Sequence, residues 1–282
     1  MNLPFQIDLN GKVAVVTGAG GVLCRVFCEA LALCGAKVAL IGRRREPLEE
    51  LASELKSKGL IAGAYPADVL NREALEIARI AINSDFGPCD ILINGAGGNN
   101  PAATASAEYY RPEEAGEGSL TFFDLAREGF EAVFDLNLMG TLLPTQVFAR
   151  EMASRGETSI INVTSMSAFR PLTKIPAYSA AKAAVSNLTQ WMAVHFSKAG
   201  IRVNAIAPGF FVSEQNRNLL FNEAGEPSAR AGKIIGSTPM GRFGEADELV
   251  GALLYLVSPR AAGFVTGVII PVDGGFSAYS GV

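Results

Sequence analysis

Residues 12–21 read Lys-Val-Ala-Val-Val-Thr-Gly-Ala-Gly-Gly, and an apolar-periodic segment follows from Val22 to Leu33. The β-branched run at 12–17 has no polar alternation, which is typical of a strand that is covered on both faces. Glycines after such a strand allow backbone N–H groups to approach an anion at the N-terminus of the next helix. The stretch therefore predicts a strand, a glycine turn and a helix, with a phosphate-binding site at the turn.

Short apolar runs and helical segments alternate along the rest of the chain. Predicted strands cover residues 37–41, 61–65, 91–94, 159–163, 202–206 and 268–272. Predicted helices cover residues 46–58, 71–83, 130–154, 176–198 and 245–257. This alternation is typical of a parallel sheet with right-handed crossovers. We predict a doubly wound α/β fold of about seven parallel strands with helices on both faces.

Two long segments interrupt the alternation, at residues 97–121 and 209–238. Long insertions after the C-terminal ends of parallel strands are commonly functional, because ligands bind at that edge. The first segment fits either a ligand-binding insertion or a surface loop. The second is predicted to be a substrate lid, with apolar residues available to pack over a ligand: Phe210, Phe211, Leu219, Leu220 and Phe221. No linker divides the chain, so residues 1–282 are predicted to form a single domain.

The composition excludes several classes of function. Twenty-four basic and 28 acidic residues leave no cationic excess, so neither nucleic acid nor an anionic membrane is an expected partner. Met1–Asn10 lacks the basic-then-apolar order of a secretory signal peptide. The four cysteines, three of them within 24–34, are predicted to be buried thiols in a reducing cytoplasm. With a single histidine in the chain, no metal site is expected.

Ser165, Tyr178 and Lys182 form the strongest local signal in the chain. Tyr178 and Lys182 are four residues apart in a predicted helix, so they lie one turn apart on the same face. A phenol titrates near pH ~10 when unperturbed, and a nearby ammonium group favours the phenolate. Ser165 follows a predicted strand and can hydrogen-bond to a substrate oxygen. The arrangement indicates proton transfer to or from a substrate oxygen.

Two further strand ends carry candidate binding residues. Asn94-Gly-Ala-Gly97 ends a predicted strand, and its glycines leave room for a nucleotide, while the asparagine can fix neighbouring backbone. Asp68-Val69 follows another strand, where the carboxylate can accept a hydrogen bond from an adenine amino group or can simply cap the next helix.

These features together resemble the short-chain dehydrogenase/reductase family, from about Leu9 to the C-terminus. The matching motifs are Thr17-Gly18 with its glycine turn, Asp68, Asn94-Gly-Ala-Gly97, Asn137, Ser165, Tyr178-x-x-x-Lys182, Arg202-Val-Asn-Ala-Ile-Ala-Pro-Gly209 and Asp273-Gly-Gly275. The resemblance implies a Rossmann-type fold that binds NAD or NADP. It also implies that Tyr178 is the general acid/base and that Ser165 orients the substrate carbonyl. Lys182 would then hold the nicotinamide ribose and favour the phenolate, and Asn137 would anchor a water in a proton relay.

The resemblance also implies a set of cofactor contacts. The residues expected to bind the cofactor are Gly18, Gly20, Gly21, Val22, Leu23, Arg43, Arg44, Asp68, Val69, Asn94, Gly95, Ala96, Gly97, Tyr178, Lys182, Pro208, Gly209 and Phe211. The family usually has Thr-Gly-x-x-x-Gly-x-Gly, so Val22 and Cys24 stand where it has glycine. At the end of the second strand this chain has Gly42-Arg43-Arg44-Arg45 and no acidic residue. Arginines there suit a 2′-phosphate, which favours NADP over NAD, or they form a solvated basic start to the next helix.

Segments 20–24, 94–99, 209–216 and 272–282 look like the D-mannonate oxidoreductase (fructuronate reductase) branch of the family. The implied substrate is a sugar acid, and the implied assembly is a homo-tetramer. Candidate hydroxyl-binding residues are Asn99, Asn100, Gln215 and Asn216, and candidates for a carboxylate are Arg170, Lys174 and Arg217. Two alternatives stay open. One is a reductase of a 3-oxoacyl thioester or a deoxy-sugar ketone, and the other is a non-catalytic nucleotide-sensing protein.

Overall fold

The computed structural model describes residues 6–114, 116, 118–212, 220–221 and 227–281. The strands in this part of the chain are β1 (Val13–Thr17), β2 (Lys37–Gly42), β3 (Ala62–Pro66), β4 (Ile91–Asn94), β5 (Thr158–Val163), β6 (Ile201–Pro208) and β7 (Ile269–Val272). They form one parallel sheet in the order β3-β2-β1-β4-β5-β6-β7. The prediction of about seven parallel strands is confirmed.

Helices cover both faces of the sheet. The described helices are α1 (Val22–Leu33), α2 (Arg45–Ser57), α3 (Arg72–Asp85), α4 (Arg127–Phe134), α5 (Gly140–Met152), α6 (Pro176–His195), α7 (Ala229–Gly236), α8 (Val250–Val257) and α9 (Pro259–Ala262). Ala14 and Val16 of β1 pack with α1, α2 and α8 in one buried cluster. Val13 and Val15, which point the other way, pack with α3, α5 and α6. Two apolar faces explain why these strands lack polar alternation.

The long helix predicted at residues 130–154 is interrupted. A π-helical turn, Asp135–Met139, separates α4 from α5 and contains the buried Asn137. A π turn holds one residue more than an α turn, and such turns are frequent at functional sites. The prediction of one continuous helix is therefore wrong at this point, and the break sets the direction of the Asn137 side chain.

The order of the strands reverses at the centre of the sheet. β1 pairs with β2 on one side and with β4 on the other, and Thr17 is the register partner of Asn94. In open α/β sheets, ligands bind in the crevice beyond the C-terminal ends of the strands at such a reversal. The glycine turn after β1 and the Asn94–Gly97 segment after β4 both lie at this edge. Among the described residues, no helix is both long and apolar enough to cross a membrane.

Candidate active site

The turns after β1 and β4 touch each other through glycines. Gly18 has φ +68°, and a Cβ built on it would lie 2.8 Å from the backbone nitrogen of Ala96. A Cβ on Gly95 would overlap Cys24 Sγ. Cys24, one of the two residues that replace family glycines, therefore fills the space beside Gly95 and is itself buried. Glycine is required at 18 for its conformation and at both positions for close approach.

Thr17 fixes the two turns relative to each other. Its Oγ1 accepts hydrogen bonds from the backbone nitrogens of Gly95 and Ala96, at 3.1 and 3.3 Å. Asn94, which was expected to fix neighbouring backbone, is fully buried and donates to two side chains instead. Sequence reasoning assigned no role to the Thr17 side chain. The available signal was a hydroxyl at the end of an otherwise apolar strand next to the glycine turn.

Ser165, Tyr178 and Lys182 converge beyond the end of β5. Ser165 begins a short 3₁₀ turn, and its Oγ accepts from the Ser167 nitrogen at 3.2 Å. Its hydroxyl also lies near enough to Tyr178 to lower the pKa of the phenol. Lys182 Nζ donates to the Val163 carbonyl at 2.8 Å and lies 5.7 Å from the centre of the Tyr178 ring. The predicted pairing of tyrosine and lysine on one face of a helix is thus present, with the serine beside the phenol.

Asn137 joins this group from the π-helical turn. Its Nδ2 donates to the Gly98 and Val133 carbonyls, at 2.7 and 2.8 Å, and its Oδ1 accepts from the Gly98 nitrogen at 3.3 Å. A Cβ on Gly97 would lie 2.8 Å from Asn137 Oδ1 and 3.0 Å from Lys182 Nζ. The two side chains therefore meet at the bare backbone of Gly97, and Asn137 holds the start of the 97–121 insertion.

Burial shifts the two titrating groups in opposite directions. It raises the pKa of Tyr178, an effect that the nearby Ser165 hydroxyl partly offsets. Burial lowers the pKa of Lys182 to about 8, against a small opposing influence of Cys24. Both shifts favour the uncharged form, as desolvation does for any ionisable group. Burial therefore outweighs the expected effect of the ammonium on the phenol.

A cleft of about 820 Å³ connects the glycine turn with this cluster. The predicted residues that line it are Gly18, Gly20, Gly21, Val22, Leu23, Arg43, Arg44, Val69, Gly95, Ala96, Gly97, Ser165, Tyr178, Lys182, Pro208, Gly209 and Phe211. Three predicted residues lie outside the lining: Asp68, Asn94 and Asn137. Asp68 is half-buried and accepts a hydrogen bond from the Leu70 nitrogen at 3.0 Å, but it does not cap the next helix. The N-cap of α3 is Asn71, whose side chain accepts from the Ala74 nitrogen.

The 97–121 insertion is fastened to its surroundings. The Ala105 nitrogen donates to the Lys174 carbonyl at 2.8 Å, and Lys174 Nζ donates to the Ser106 carbonyl at 2.6 Å. Glu108 pairs with Lys233 of α7 at 2.9 Å, which links the insertion to the second long segment. Lys233 lowers the pKa of Glu108, and the charges of Lys174 and Arg230 contribute further.

The described part of the 209–238 segment has its own small core. Phe210 and Phe211 line the cleft. The buried cluster behind them consists of Leu220, Ala231, Ile234 and Phe243, with Phe210, Val212, Phe221 and Ile235 packed against it. The predicted contributions of Leu219, Gln215, Asn216 and Arg217 lie outside the described residues.

The remaining substrate candidates have local partners. Asn99 Nδ2 donates to Thr104 Oγ1 at 2.9 Å, and Asn100 Oδ1 accepts from the Ala102 nitrogen at 2.9 Å. Arg170 is exposed, whereas Lys174 is half-buried. Of the described candidates for a carboxylate, Lys174 is the better enclosed.

Comparison with known proteins agrees with this geometry. The family model of the short chain dehydrogenases matches residues 12–223. The chain belongs to the short-chain dehydrogenase family. An uncharacterised oxidoreductase of Haemophilus influenzae is 55% identical over 282 residues, which cover 100% of this chain and 99% of the relative. The chain is accordingly an oxidoreductase, as the resemblance in the sequence implied.

Two solved structures of the family show the nucleotides that it binds. A proposed D-mannonate oxidoreductase from Haemophilus influenzae, with bound NAD, is 54% identical with a TM-score of 0.95 over 100% of both chains. A gluconate 5-dehydrogenase from Burkholderia cenocepacia, in complex with NADP and tartrate, is 30% identical with a TM-score of 0.81, covering 98% of this chain and 99% of that one. The prediction of NAD or NADP as the cofactor is confirmed at the level of the family.

Proposed function

We propose that this protein interconverts a keto-sugar acid and its alcohol, D-fructuronate and D-mannonate, with NAD or NADP as cofactor. The observation that carries the proposal is the convergence of Ser165, Tyr178 and Lys182 at one end of a glycine-lined cleft. The similarity to a proposed D-mannonate oxidoreductase and to a gluconate 5-dehydrogenase supports a sugar acid as the substrate.

The lining of the cleft fits a nicotinamide dinucleotide. A side chain at Gly18 would collide with the backbone of Ala96. A side chain at Gly97 would collide with the polar ends of Asn137 and Lys182. We assign the pyrophosphate to the turn of Gly20 and Gly21 and to the N-terminus of α1, whose first backbone N–H groups have no partner within the helix. The Gly21 nitrogen itself donates to the Gly18 carbonyl at 2.9 Å. The nicotinamide end belongs beside Pro208 and Gly209. The bound cofactor supplies or accepts the hydride.

Residues of the chain itself donate and accept the proton of the reaction. In the direction of reduction, the Tyr178 hydroxyl donates its proton to the carbonyl oxygen that becomes the alcohol. Ser165 hydrogen-bonds to the same oxygen and orients it beside the phenol. The Lys182 ammonium stabilises the phenolate that remains, and Asn137 holds a water through which the proton is restored. In oxidation, each proton moves in reverse.

Lys174 is our candidate for the substrate carboxylate. It is half-buried just before α6, four residues ahead of Tyr178, and it already binds a carbonyl oxygen of the insertion. Lys233 and Arg230 of α7 add positive charge around Glu108 on the same side. A carboxylate is attracted to such a group of cations and forms charge-assisted hydrogen bonds with it. We propose that segments 97–121 and 209–238 act as the substrate-binding insertion and lid.

NADP is the cofactor that we favour. Arg43 and Arg44 line the cleft directly after Gly42 at the end of β2, whereas Arg45 pairs with Glu49 at 3.1 Å. Guanidinium groups offer several donors to the oxygens of a 2′-phosphate. No acidic residue follows β2 to accept a hydrogen bond from the ribose 2′-hydroxyl of NAD.

We further propose a cytoplasmic homo-tetramer in which residues 1–282 form a single domain. Large apolar side chains on its surface, including Trp191, Val194 and Phe264, give subunit contacts a place to form. Light scattering at several protein concentrations measures the number of subunits. A monomer at all concentrations contradicts the tetramer.

The decisive experiment is a panel of hexuronates and aldonates, each assayed with both cofactors in both directions. We expect the highest kcat/KM for D-fructuronate and D-mannonate with NADP(H). Preference for a 3-oxoacyl thioester or for a simple ketone overturns the substrate assignment. Cofactor binding without turnover on any member supports the alternative of a nucleotide-sensing protein.

A further inference from the structure

A series of buried hydrogen bonds runs beneath the candidate active site and starts at its asparagine. On α5, Thr141 Oγ1 donates to the Asn137 carbonyl at 2.9 Å, and Thr145 Oγ1 donates to the Thr141 carbonyl at 2.8 Å. The three residues are four apart, so they form one stripe along the helix. The stripe begins at Asn137, whose side chain hydrogen-bonds to Gly98.

Two asparagines on neighbouring strands continue the series of hydrogen bonds from α5 to α6. Asn94 of β4 and Asn162 of β5 are register partners on neighbouring strands. Asn94 Nδ2 donates to Thr145 Oγ1 and to Asn162 Oδ1, both at 2.9 Å. Asn162 Nδ2 in turn donates to Thr189 Oγ1 of α6 at 2.8 Å. Each of these four side chains is at most 2% exposed.

The far end of the series lies on the helix of the tyrosine and lysine. Thr189 Oγ1 donates to the Val185 carbonyl at 2.8 Å. Thr189 follows Lys182 by two turns, about 10 Å along the axis, and lies on the same stripe as Lys182 and Tyr178. The hydrogen bond from Asn162 therefore ties α6 to β5 at a point two turns from Lys182.

The burial of these four positions does not by itself require polar side chains. The neighbouring positions Ile93 and Ile161 are buried and apolar, and replacing both partners of a buried hydrogen bond by apolar groups of the same shape is often nearly neutral. Hydrogen bonds differ from apolar contacts in having a fixed direction and length. The four groups therefore supply geometry to the two helices that flank β4 and β5.

We propose that Asn94, Thr145, Asn162 and Thr189, here called the buried bridge, are positioning residues for the reaction. The bridge holds α6 in register with the π-helical turn of Asn137, so that Tyr178 stays beside Ser165. This inference rests on the proposed function, because it assigns the proton transfer to Tyr178.

Two substitutions of Thr189 distinguish the effect of its hydrogen bond from the effect of its packing. Thr189→Val keeps the shape of the side chain and removes its hydroxyl, whereas Thr189→Ser keeps the hydroxyl and removes a methyl group. Thr158→Val is the matched control, because Thr158 is equally buried in β5 and its hydroxyl has no hydrogen-bond partner in the described structure. Steady-state kinetics and urea unfolding are measured for all three variants and the parent protein.

We expect Thr189→Val to lower kcat by about tenfold or more, since small displacements of reacting groups have large effects on rate. KM for the cofactor stays within about twofold, because the glycine turn is not altered. Thr189→Ser and Thr158→Val keep kcat within about threefold. The inference is overturned if Thr189→Val retains the parent kcat whatever its stability, or if Thr189→Ser loses as much activity as Thr189→Val.

A second measurement does not depend on the substrate. The phenol of Tyr178 is titrated by ultraviolet difference spectroscopy against the same protein carrying Tyr178→Phe. Lys182 on α6 lies 5.7 Å from the centre of the Tyr178 ring, and Cys24 on α1 acts on Lys182. In Thr189→Val the midpoint moves to higher pH, because the Ser165 hydroxyl that lowers the pKa of Tyr178 moves away from the phenol. An unchanged midpoint contradicts the bridge even if no sugar acid is turned over, whereas inactivity of the parent protein contradicts only the proposed substrate.

Discussion

Replacing Lys182 by methionine is expected to stabilise the protein while removing its activity. Burial lowers the pKa of this amine from 10.5 to about 8. One pKa unit corresponds to about 1.4 kcal/mol, so at neutral pH the charged amine destabilises the folded protein by about 3 kcal/mol relative to the unfolded chain. Methionine removes this penalty but leaves the Val163 carbonyl without the donor at 2.8 Å. That loss costs about 1 kcal/mol, which leaves a net stabilisation of about 2 kcal/mol.

The stabilisation expected for Lys182→Met depends on pH. Between about pH 8 and 10.5 the folded protein has released the proton of Lys182 and the unfolded chain still holds it. The unfolded state then binds more protons, so the free energy of unfolding of the parent protein rises with pH across this interval. Lys182→Met lacks the rise. Its advantage should therefore shrink by about 2 kcal/mol between about pH 7 and about pH 9.5.

Urea unfolding without cofactor, at one protein concentration and at both pH values, measures these differences. Taking the difference between the two proteins cancels the titration of groups that they share. Lys198→Met, a change at an exposed lysine beyond α6, is the control and should alter stability by less than about 0.5 kcal/mol. The reasoning is refuted if Lys182→Met is no more stable than the parent protein near neutral pH, or if the difference does not depend on pH.

Three further substitutions examine other parts of the site. Tyr178→Phe should lower kcat by about a hundredfold or more and leave NAD(P)H binding within about twofold, measured by cofactor fluorescence, because only the transferred proton is removed; substantial turnover contradicts the mechanism. Changing Arg43 and Arg44 together to alanine should raise KM for NADPH by about tenfold or more with little change for NADH, and an equal effect on both cofactors contradicts a 2′-phosphate site. Gly95→Ala should lower the free energy of unfolding by about 1–3 kcal/mol, because its methyl group overlaps Cys24 Sγ. Adding Cys24→Gly should recover only part of that loss in urea unfolding, because the methyl group would still lie 2.9 Å from the Thr17 carbonyl oxygen.

Strands were the easiest part of the fold to predict. Each apolar run that ends at a glycine, proline or polar residue became a strand within one or two residues of its predicted bounds. Two predicted helices differ from the structure. In residues 130–154 the apolar period continues through the π-helical turn, and in residues 245–257 the first turn, Ala246–Leu249, is a 3₁₀ helix. The π-helical turn depends on Asn137 bonding to Gly98, a contact between segments far apart in sequence. Pro144, which cannot donate a backbone hydrogen bond inside α5, was the available sign of irregularity.

Residues that face the cleft were predictable because their chemistry differs from their surroundings. The buried bridge was not recognised, although Asn162 stands out in the apolar run of β5 and Thr189 in α6. A polar residue in a buried strand indicates a partner but does not say which one. The partners here come from α5, β4 and α6, so only the assembled sheet identifies them. For the same reason, the exchange of a family glycine for Cys24 became interpretable only beside Gly95.

The two titrating groups of the site favour one direction of the proposed proton transfer. Burial raises the pKa of Tyr178, so its phenol is protonated at neutral pH, and Lys182, with a pKa of about 8, still carries most of its charge there. Under the proposed mechanism, a protonated phenol is the form that reduction of a carbonyl consumes. Oxidation of the alcohol needs the phenolate, which burial in this cleft disfavours. The same desolvation that makes the site costly to fold therefore prepares it for reduction near neutral pH.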